Sequence, residues 1–283
     1  METLTPGRAR SDLVKFRLGI GTYLGRDDDA TDALYADAIR RAVELGVNVI
    51  DTAINYRHQR SERVIGGVLR DVPREKVLVA TKGGFLARGA GPAPGTVRPD
   101  EIVANCHCMA PAHLRDQIER SRRNLGLATI DIYYVHNPET QLDEVPRDEF
   151  LRRMRSVFET FEAAVADGKI GVYGTATWSG YREPGELSLP ELLAIAREVG
   201  GADHHFRAIQ LPYNQAMPQA REFIAAAADA GMTIMTSASI MQGKLPDPAS
   251  ALRFVLSTPG VAVALVGAKA RAHVESNVRA AQG

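Results

Sequence analysis

The chain contains little cysteine, no excess of charge of either sign and no long apolar run. It has 283 residues, of which two are cysteines, Cys106 and Cys108, so no disulfide framework is implied. Lys plus Arg and Asp plus Glu are both 34, so no net basic charge favours binding to nucleic acid or to an anionic membrane. No run of about 18 apolar residues is present, so we expect no segment that spans a membrane.

The polar N-terminal segment, residues 1–15, lacks the apolar stretch that a secretory signal carries. We therefore expect a flexible N-terminal segment and a cytoplasmic protein.

The stretch Cys106-His107-Cys108 brings metal-ligand residue types together. A structural zinc site needs more ligands than this, and its cysteine pairs are spaced more widely, so no metal site is predicted. We interpret the stretch as part of a substrate-side loop, with His107 near the mouth of the site.

Short apolar runs alternate with amphipathic helical segments along the chain. The predicted strands are 17–22, 47–50, 76–80, 130–135, 170–176, 206–211, 232–237 and 261–266. The predicted helices are 31–45, 61–69, 111–125, 149–166, 189–199, 221–230, 248–256 and 272–280, with Thr31 and Ser61 as N-caps. Eight strand–helix repeats predict an α/β fold, a (β/α)8 TIM barrel formed by one domain, 1–283, with long loops such as 85–110 at the carboxyl-terminal face.

The rival fold is an open, doubly wound sheet. That fold usually has a Gly-rich turn of the form G-x-G-x-x-G after its first strand and an acidic residue at the end of the second. Gly19, Gly21 and Gly25 are spaced differently, and Asp51 lies too far along the chain. The barrel is therefore favoured.

Four polar residues lie at the ends of consecutive strands: Asp51, Tyr56, Lys82 and His136. Barrel enzymes carry their catalytic groups at this end of the strands. An ammonium near a phenol lowers its pKa, a carboxylate holds the ammonium in place, and a His donates a hydrogen bond to a substrate carbonyl oxygen. Taken singly, these residues are also compatible with a helix cap, a packing residue, a solvated charge and a turn residue. Together they favour proton donation to a carbonyl group that receives a hydride.

Five segments resemble the aldo-keto reductase superfamily, in order and over nearly the whole chain. They are Gly-Val-Asn-Val-Ile-Asp-Thr-Ala-Ile-Asn-Tyr (46–56), Val-Ala-Thr-Lys-Gly (79–83), Asp-Ile-Tyr-Tyr-Val-His-Asn-Pro (131–138), Ile-Gln-Leu-Pro-Tyr-Asn (209–214) and Val-Gly-Ala-Lys (266–269). The resemblance implies a (β/α)8 barrel and a nicotinamide cofactor, usually NADPH, with NADH possible. It also implies that Tyr56 is the general acid, that Lys82 lowers the pKa of Tyr56, that Asp51 pairs with Lys82 and that His136 orients the carbonyl.

The same resemblance implies a set of residues that bind the cofactor: Thr22, Asp51, Thr177, Gln210, Ser237, Lys269, Arg271 and Asn277. Three positions depart from the family. Ala176 and Thr177 stand where the family has Ser and Asn on the nicotinamide carboxamide, and Ser237 stands where many members stack a Tyr on the nicotinamide ring. The connection 214–221 is also shorter than in many relatives, which fold a longer segment over the cofactor.

Two functions remain open at this stage. The first is an NADPH-dependent reductase of an aldehyde or ketone, or the reverse dehydrogenase of an alcohol or sugar, with a substrate pocket formed by Tyr23, Phe85, His107 and Trp178. The second, motivated by Ala176 and Ser237, is a redox-silent barrel with a binding or regulatory role, or an enzyme such as an isomerase or dehydratase that transfers no hydride. The expected partner is a small-molecule carbonyl or sugar substrate, with no nucleic acid and no membrane, and the sequence predicts no oligomeric state.

Overall fold

The computed structural model describes residues 16–87, 91–183 and 186–282. Its eight parallel strands close into one barrel in chain order, with β1 paired to both β2 and β8. The predicted (β/α)8 barrel is confirmed. The N-terminal segment 1–15, for which flexibility is predicted, lies outside the described residues.

The strands and helices alternate throughout this barrel. The strands are β1 (Leu18–Gly21), β2 (Val49–Asp51), β3 (Leu78–Gly83), β4 (Ile130–His136), β5 (Ile170–Ala176), β6 (Phe206–Pro212), β7 (Thr233–Ser237) and β8 (Val261–Gly267). The helices are α1 (Asp29–Glu44), α2 (Arg60–Leu69), α3 (Pro111–Leu125), α4 (Arg147–Ala166), α5 (Leu189–Gly200), α6 (Arg221–Asp229), α7 (Pro248–Leu256) and α8 (Arg271–Gln282). No helix in this set is long and apolar enough to cross a bilayer.

Helix α3 illustrates how the sequence sets these elements. Pro111 opens the helix, where a missing N–H costs nothing, and Gly126 ends it in the left-handed region at φ +66°. Leu114, Ile118 and Leu125 are buried on one face because residues three, four and seven apart align along a helix. The predicted bounds 111–125 are confirmed.

The predicted helix caps were wrong. Asp28, not Thr31, caps α1, because its carboxylate accepts a hydrogen bond from the Thr31 N–H at 2.8 Å. Ser61 lies inside α2, and its hydroxyl donates to the carbonyl of Thr22 at 2.8 Å. Ser61 therefore connects α2 to the loop after β1.

The barrel has an inner and an outer core. The outer core lies between the strands and the helices, and the inner core fills the barrel with alternate residues of the strands. The inner residues are Val49, Leu78, Ala80, Ile132, Tyr134, Val172, Ala176, Ala208, Met235, Val263 and Leu265. The strands are thus closed around a filled interior, so the barrel is a packed core and not an open channel.

Long connections lie at the carboxyl ends of the strands, as predicted. Residues 84–110, 137–146 and 177–188 join strands to helices, whereas 126–129 and 167–169 are short returns from helix to strand. The functional site is therefore expected at the face that the long loops build.

Gly174 provides a test of this barrel. A Cβ atom there would lie 1.8 Å from the carbonyl oxygen of Ala208 on the paired strand β6. We expect Gly174→Ala to force β5 and β6 apart and to lower the free energy of unfolding by about 1–3 kcal/mol, measured by urea denaturation. The matched control is Gly91→Ala, because nothing lies within 4 Å of a Cβ atom at Gly91. Equal stability of the two variants would contradict the described register.

Candidate active site

The alternation of side chains along the strands brings four polar groups to the top of the barrel interior. Successive residues of a strand point to opposite faces, so the residue two positions after an inner residue points inward again. Val49, Ala80, Tyr134 and Ala208 are inner residues, and the residues that follow them at this spacing are Asp51, Lys82, His136 and Gln210. Period-two geometry thus accounts for the convergence of these four side chains.

Lys82 and Asp51 form a buried ion pair. The Lys82 Nζ atom lies 2.9 and 2.7 Å from the two carboxylate oxygens of Asp51 and 2.7 Å from the carbonyl oxygen of Thr52, and its residue has no exposed surface. Gln210 donates a further hydrogen bond to Asp51 Oδ1 at 2.7 Å. Burial lowers the pKa of Lys82, and the Asp51 charge acts in the opposite direction.

Tyr56 lies in the loop after β2, beside Lys82 and the rings of Tyr23 and His136. Its ring centroid is 5.1 Å from Lys82 Nζ, 5.0 Å from the Tyr23 ring and 5.7 Å from the His136 ring. Burial raises the pKa of Tyr56 well above its ordinary value, and the negative charge of Asp51 acts in the same direction. This direction is opposite to the predicted one, because desolvation of the phenol has the largest effect and the Asp51 charge adds to it.

His136 is the last residue of β4 and its imidazole is neutral. Burial lowers the pKa of this ring well below its usual value, with the charge of Lys82 acting the same way. The Nδ1 atom is buried, and no partner for it is found among the described residues. A neutral imidazole carries one N–H, which can donate to a carbonyl oxygen.

One cavity of about 470 Å³ opens over these groups. Of the predicted site residues, the cavity is lined by Asp51, Tyr56, His136, Thr22, Thr177, Gln210, Ser237, Tyr23, Phe85 and Trp178. Lys82 lies behind Asp51 and does not line it. Among the described residues no Lys or Arg side chain lines the cavity, and its one charged lining residue in that part of the chain is Asp51.

Several lining residues escaped the sequence reasoning: Asn55, Asn137, Ser239, Ile240 and Gln242. All five lie within a few residues after the end of a strand, and this position is the sequence feature that could have identified them. The Asn55 Oδ1 and Thr177 Oγ1 atoms are buried, and neither has a hydrogen-bond partner among the described residues. Two unsatisfied polar atoms near one cavity fit a polar ligand group such as a carboxamide.

His107 does not lie at the mouth of the cavity, contrary to the prediction. It is fully buried, and its ring contacts the carbonyl oxygen of His136 and the side chain of Gln141. The loop 84–110 folds back on itself, pairing Phe85 with His107, and this pairing turns the imidazole inward.

Three of the predicted cofactor-binding residues, Lys269, Arg271 and Asn277, lie outside the cavity lining. Lys269 follows β8, and its Cδ atom lies 3.3 Å from where a Cβ atom of Gly25 would be, so it adjoins the loop after β1. Arg271 pairs with Asp37 at 2.8 Å on the surface, and Asn277 is buried on α8. Among the described residues no group of His, Cys, Asp and Glu suited to a metal ion is found.

Comparison with known proteins places the chain in a family. Residues 17–248 match the model of the Aldo/keto reductase family. The NADH-specific methylglyoxal reductase of Escherichia coli (strain K12) is 28% identical over 189 residues, which are 63% of this chain and 55% of that protein. Versiconal hemiacetal acetate reductase of Aspergillus parasiticus is 28% identical over 217 residues, 74% of this chain and 58% of that protein. The chain therefore spans little more than half the length of these two curated relatives.

Solved structures agree with this assignment. A Pseudomonas aeruginosa protein assigned to the aldo-keto reductases is 28% identical, with a TM-score of 0.66 over 94% of this chain and 89% of that one. An aldo/keto reductase from Klebsiella pneumoniae in complex with NADP and acetate is 21% identical, with a TM-score of 0.69 over 94% and 86% of the two chains. The second likeness concerns the fold alone.

The ion pair of Lys82 and Asp51 makes a stability prediction. Removing one partner leaves the other buried and unpaired, so Asp51→Asn and Lys82→Met should each lower the free energy of unfolding by about 3–5 kcal/mol. The double variant should lose less than the sum of the two, as measured by urea denaturation. The control is Asp71→Asn, which breaks an exposed contact of 3.6 Å with Arg40 and should change stability by less than about 0.5 kcal/mol. Additive losses would show that the two groups do not interact.

The raised pKa of Tyr56 makes a spectroscopic prediction. A tyrosine whose pKa is raised keeps its proton through and beyond the usual range, so Tyr56 should form no phenolate below about pH 10. The measurement is the difference in phenolate absorbance between the unliganded protein and Tyr56→Phe during a pH titration. A difference that develops near neutral pH would contradict the described environment.

Proposed function

Because this chain belongs to the aldo/keto reductase family, we propose that it is an NAD(P)H-dependent oxidoreductase that reduces an aldehyde or ketone, or oxidises the corresponding alcohol or sugar. The observation that carries the proposal is the Asp51–Lys82 pair directly beside the Tyr56 ring, with the neutral His136 at the same cavity. Proton donation to a carbonyl is favoured when a phenol, a nearby ammonium and a hydrogen-bond donor lie together. The reductase relatives support the proposal. The activities for which they are named are those of the relatives themselves.

The proton is supplied by Tyr56. When a nicotinamide is bound, it supplies the hydride that adds to the carbonyl carbon. As that carbon accepts the hydride, negative charge develops on the oxygen, and the phenol of Tyr56 donates its proton there. The ammonium of Lys82 favours the phenolate that this transfer leaves, and Asp51 holds the ammonium in place. The neutral His136 ring donates a hydrogen bond to the same oxygen and fixes its position.

The cofactor in this proposal is NADPH, with NADH as the alternative. Thr177, Gln210, Asn55 and the backbone around Ser237 border the cavity and offer polar groups for the carboxamide. Lys269 and Arg271 are proposed to meet phosphate groups beyond the rim, where an Arg or Lys is suited to them. NADH is included as the alternative because one relative is named as NADH-specific.

The substrate in this proposal is a small neutral carbonyl compound or sugar. Tyr23, Phe85 and Trp178 place three aromatic side chains at the cavity, and no Lys or Arg of the described residues lines it to pair with an anion. We also propose a cytoplasmic location, since both cysteines are free thiols and NADPH is supplied there.

The decisive experiment combines cofactor titration with a panel of carbonyl substrates. Trp178 is the single tryptophan and lines the cavity, so quenching of its fluorescence by NADPH or NADH reports binding at this site. Turnover of aldehydes, ketones and sugars is followed by cofactor absorbance. Binding without turnover of any carbonyl would favour the redox-silent function instead.

Replacing Tyr56 tests the role of the phenol. Tyr56→Phe keeps the ring and removes the proton donor, so kcat should fall by about 10²–10⁴-fold while the Kd of NADPH stays unchanged. The control is Tyr213→Phe, which removes a hydroxyl that accepts from Thr258 outside the cavity and should turn over normally. Normal turnover by Tyr56→Phe would end the assignment.

A further inference from the structure

A chain of hydrogen bonds runs from the protein surface to the backbone of His136. The Nε2 atom of His107 lies 2.7 Å from the carbonyl oxygen of His136, and the Nε2 atom of Gln141 lies 2.8 Å from His107 Nδ1. A carbonyl oxygen only accepts, so His107 Nε2 must carry the hydrogen, and Nδ1 accepts from Gln141. His107 and Gln141 have no exposed surface.

The direction of each bond is set by a charged pair on α4. The Arg153 guanidinium, which can only donate, contacts Gln141 Oε1, and its Nε atom donates to Glu149 Oε1 at 2.7 Å. The Gln141 amide is therefore oriented with its oxygen toward Arg153 and its N–H toward His107. Because the Gln141 N–H faces Nδ1, His107 can form both bonds only in the tautomer that carries its hydrogen on Nε2. Burial also lowers the pKa of His107 to about 4, which keeps its ring neutral at physiological pH.

A second contact connects the same two histidines. The Phe85 ring lies edge-on to both, with centroids 4.9 Å from His107 and 5.0 Å from His136. Gly84 makes room for this arrangement, because a Cβ atom there would lie 2.8 Å from His107 Nε2. His107 thus contacts His136 through its backbone and, by way of Phe85, through its ring.

The His136 ring depends on such indirect support. Its Nδ1 atom has no hydrogen-bond partner among the described residues, and its ring contacts are those with Phe85 and Tyr56. The orientation of the ring is therefore set by the position of its backbone and by its aromatic neighbours. His107 contacts the backbone of His136 and one of these neighbours, Phe85.

We propose that His107, oriented by Gln141 and Arg153, is the positioning residue that holds His136 in its reactive orientation. The inference rests on the proposed function, since it assigns to His107 a part in the reaction of His136. His107 acts through His136 and contacts no substrate, which replaces the earlier expectation that it lines the substrate pocket.

The first test needs no turnover. Nitrogen NMR of the ligand-free protein should find His107 in the Nε2–H tautomer. Gln141→Glu replaces the donor to Nδ1 with an acceptor, so His107 should either take up a second proton or change tautomer, whereas Gln141→Leu should only remove the contact. An Nδ1–H tautomer in the wild type, or an identical His107 spectrum in Gln141→Glu, would overturn the proposal.

The second test separates positioning from stability. His107→Leu should lower kcat at least about tenfold and leave the Kd of NADPH unchanged, and His107→Gln, which keeps an N–H where Nε2 lies, should recover most of the loss. The matched control is His204→Leu, a buried histidine before β6 at the opposite end of the barrel, which should keep its kcat. Wild-type kcat in His107→Leu, or equal losses in His107→Leu and His204→Leu, would overturn the proposal.

The two proposals fail in different ways. If the wild type reduces no carbonyl, the proposed function fails. The positioning role of His107 is then tested by the NMR signals of the His136 ring in the ligand-free variants. Displaced ring signals in His107→Leu but not in His204→Leu support the positioning role, and unchanged signals refute it. Should His107→Leu not fold, the same comparison is made with Gln141→Leu.

Discussion

The ammonium of Lys82 has no exposed surface, and it is stable there only because Asp51 and the Thr52 carbonyl oxygen accept its hydrogen bonds. A buried charge without such partners would cost several kcal/mol, on the order that unfolds a domain. The pairing requires β2 and β3 to be neighbours with Asp51 beside Ala80, which is the register observed. The site and the closure of the barrel therefore depend on each other, because slipping β2 by one residue would turn Asp51 to the outside.

Position along the strand was the strongest information in the sequence. Asp51, Lys82 and His136 could be assigned to one end of the barrel because each follows a short apolar run, and parallel strands bring these ends together. The bounds of β5 and α7 were also predictable, since both lie between turn residues. The predicted β3 ended two residues before Lys82, because a polar residue inside a strand cannot be told from a loop residue by hydrophobicity alone.

Properties that depend on burial or on distant contacts were not predictable. The pKa of Tyr56 is raised by desolvation and by the Asp51 charge, and neither the burial of a side chain nor its distance from a charge can be read from a sequence. The orientation of His107 follows from the folding back of the loop 84–110, whose Gly- and Pro-rich sequence permits many paths. The pairing of Arg271 with Asp37 joins residues far apart in the chain, which no local pattern marks.

The side of the cavity proposed to hold the nicotinamide departs from the family in sequence, and hydrogen bonds fix its backbone. Glu139, in the loop after β4, accepts hydrogen bonds from the backbone N–H groups of Trp178 at 2.6 Å and Ser179 at 3.1 Å. The Thr177 hydroxyl, next to these groups, is buried and without a partner among the described residues. Ala176 has no polar side-chain group to offer the proposed carboxamide, whereas the Thr177 hydroxyl can supply a hydrogen bond. A buried hydroxyl without a partner is unfavourable, so a ligand that provides the partner is stabilised there. The loop after β4 thus organises both halves of the cavity, since it follows His136 and also fixes the loop that carries Thr177.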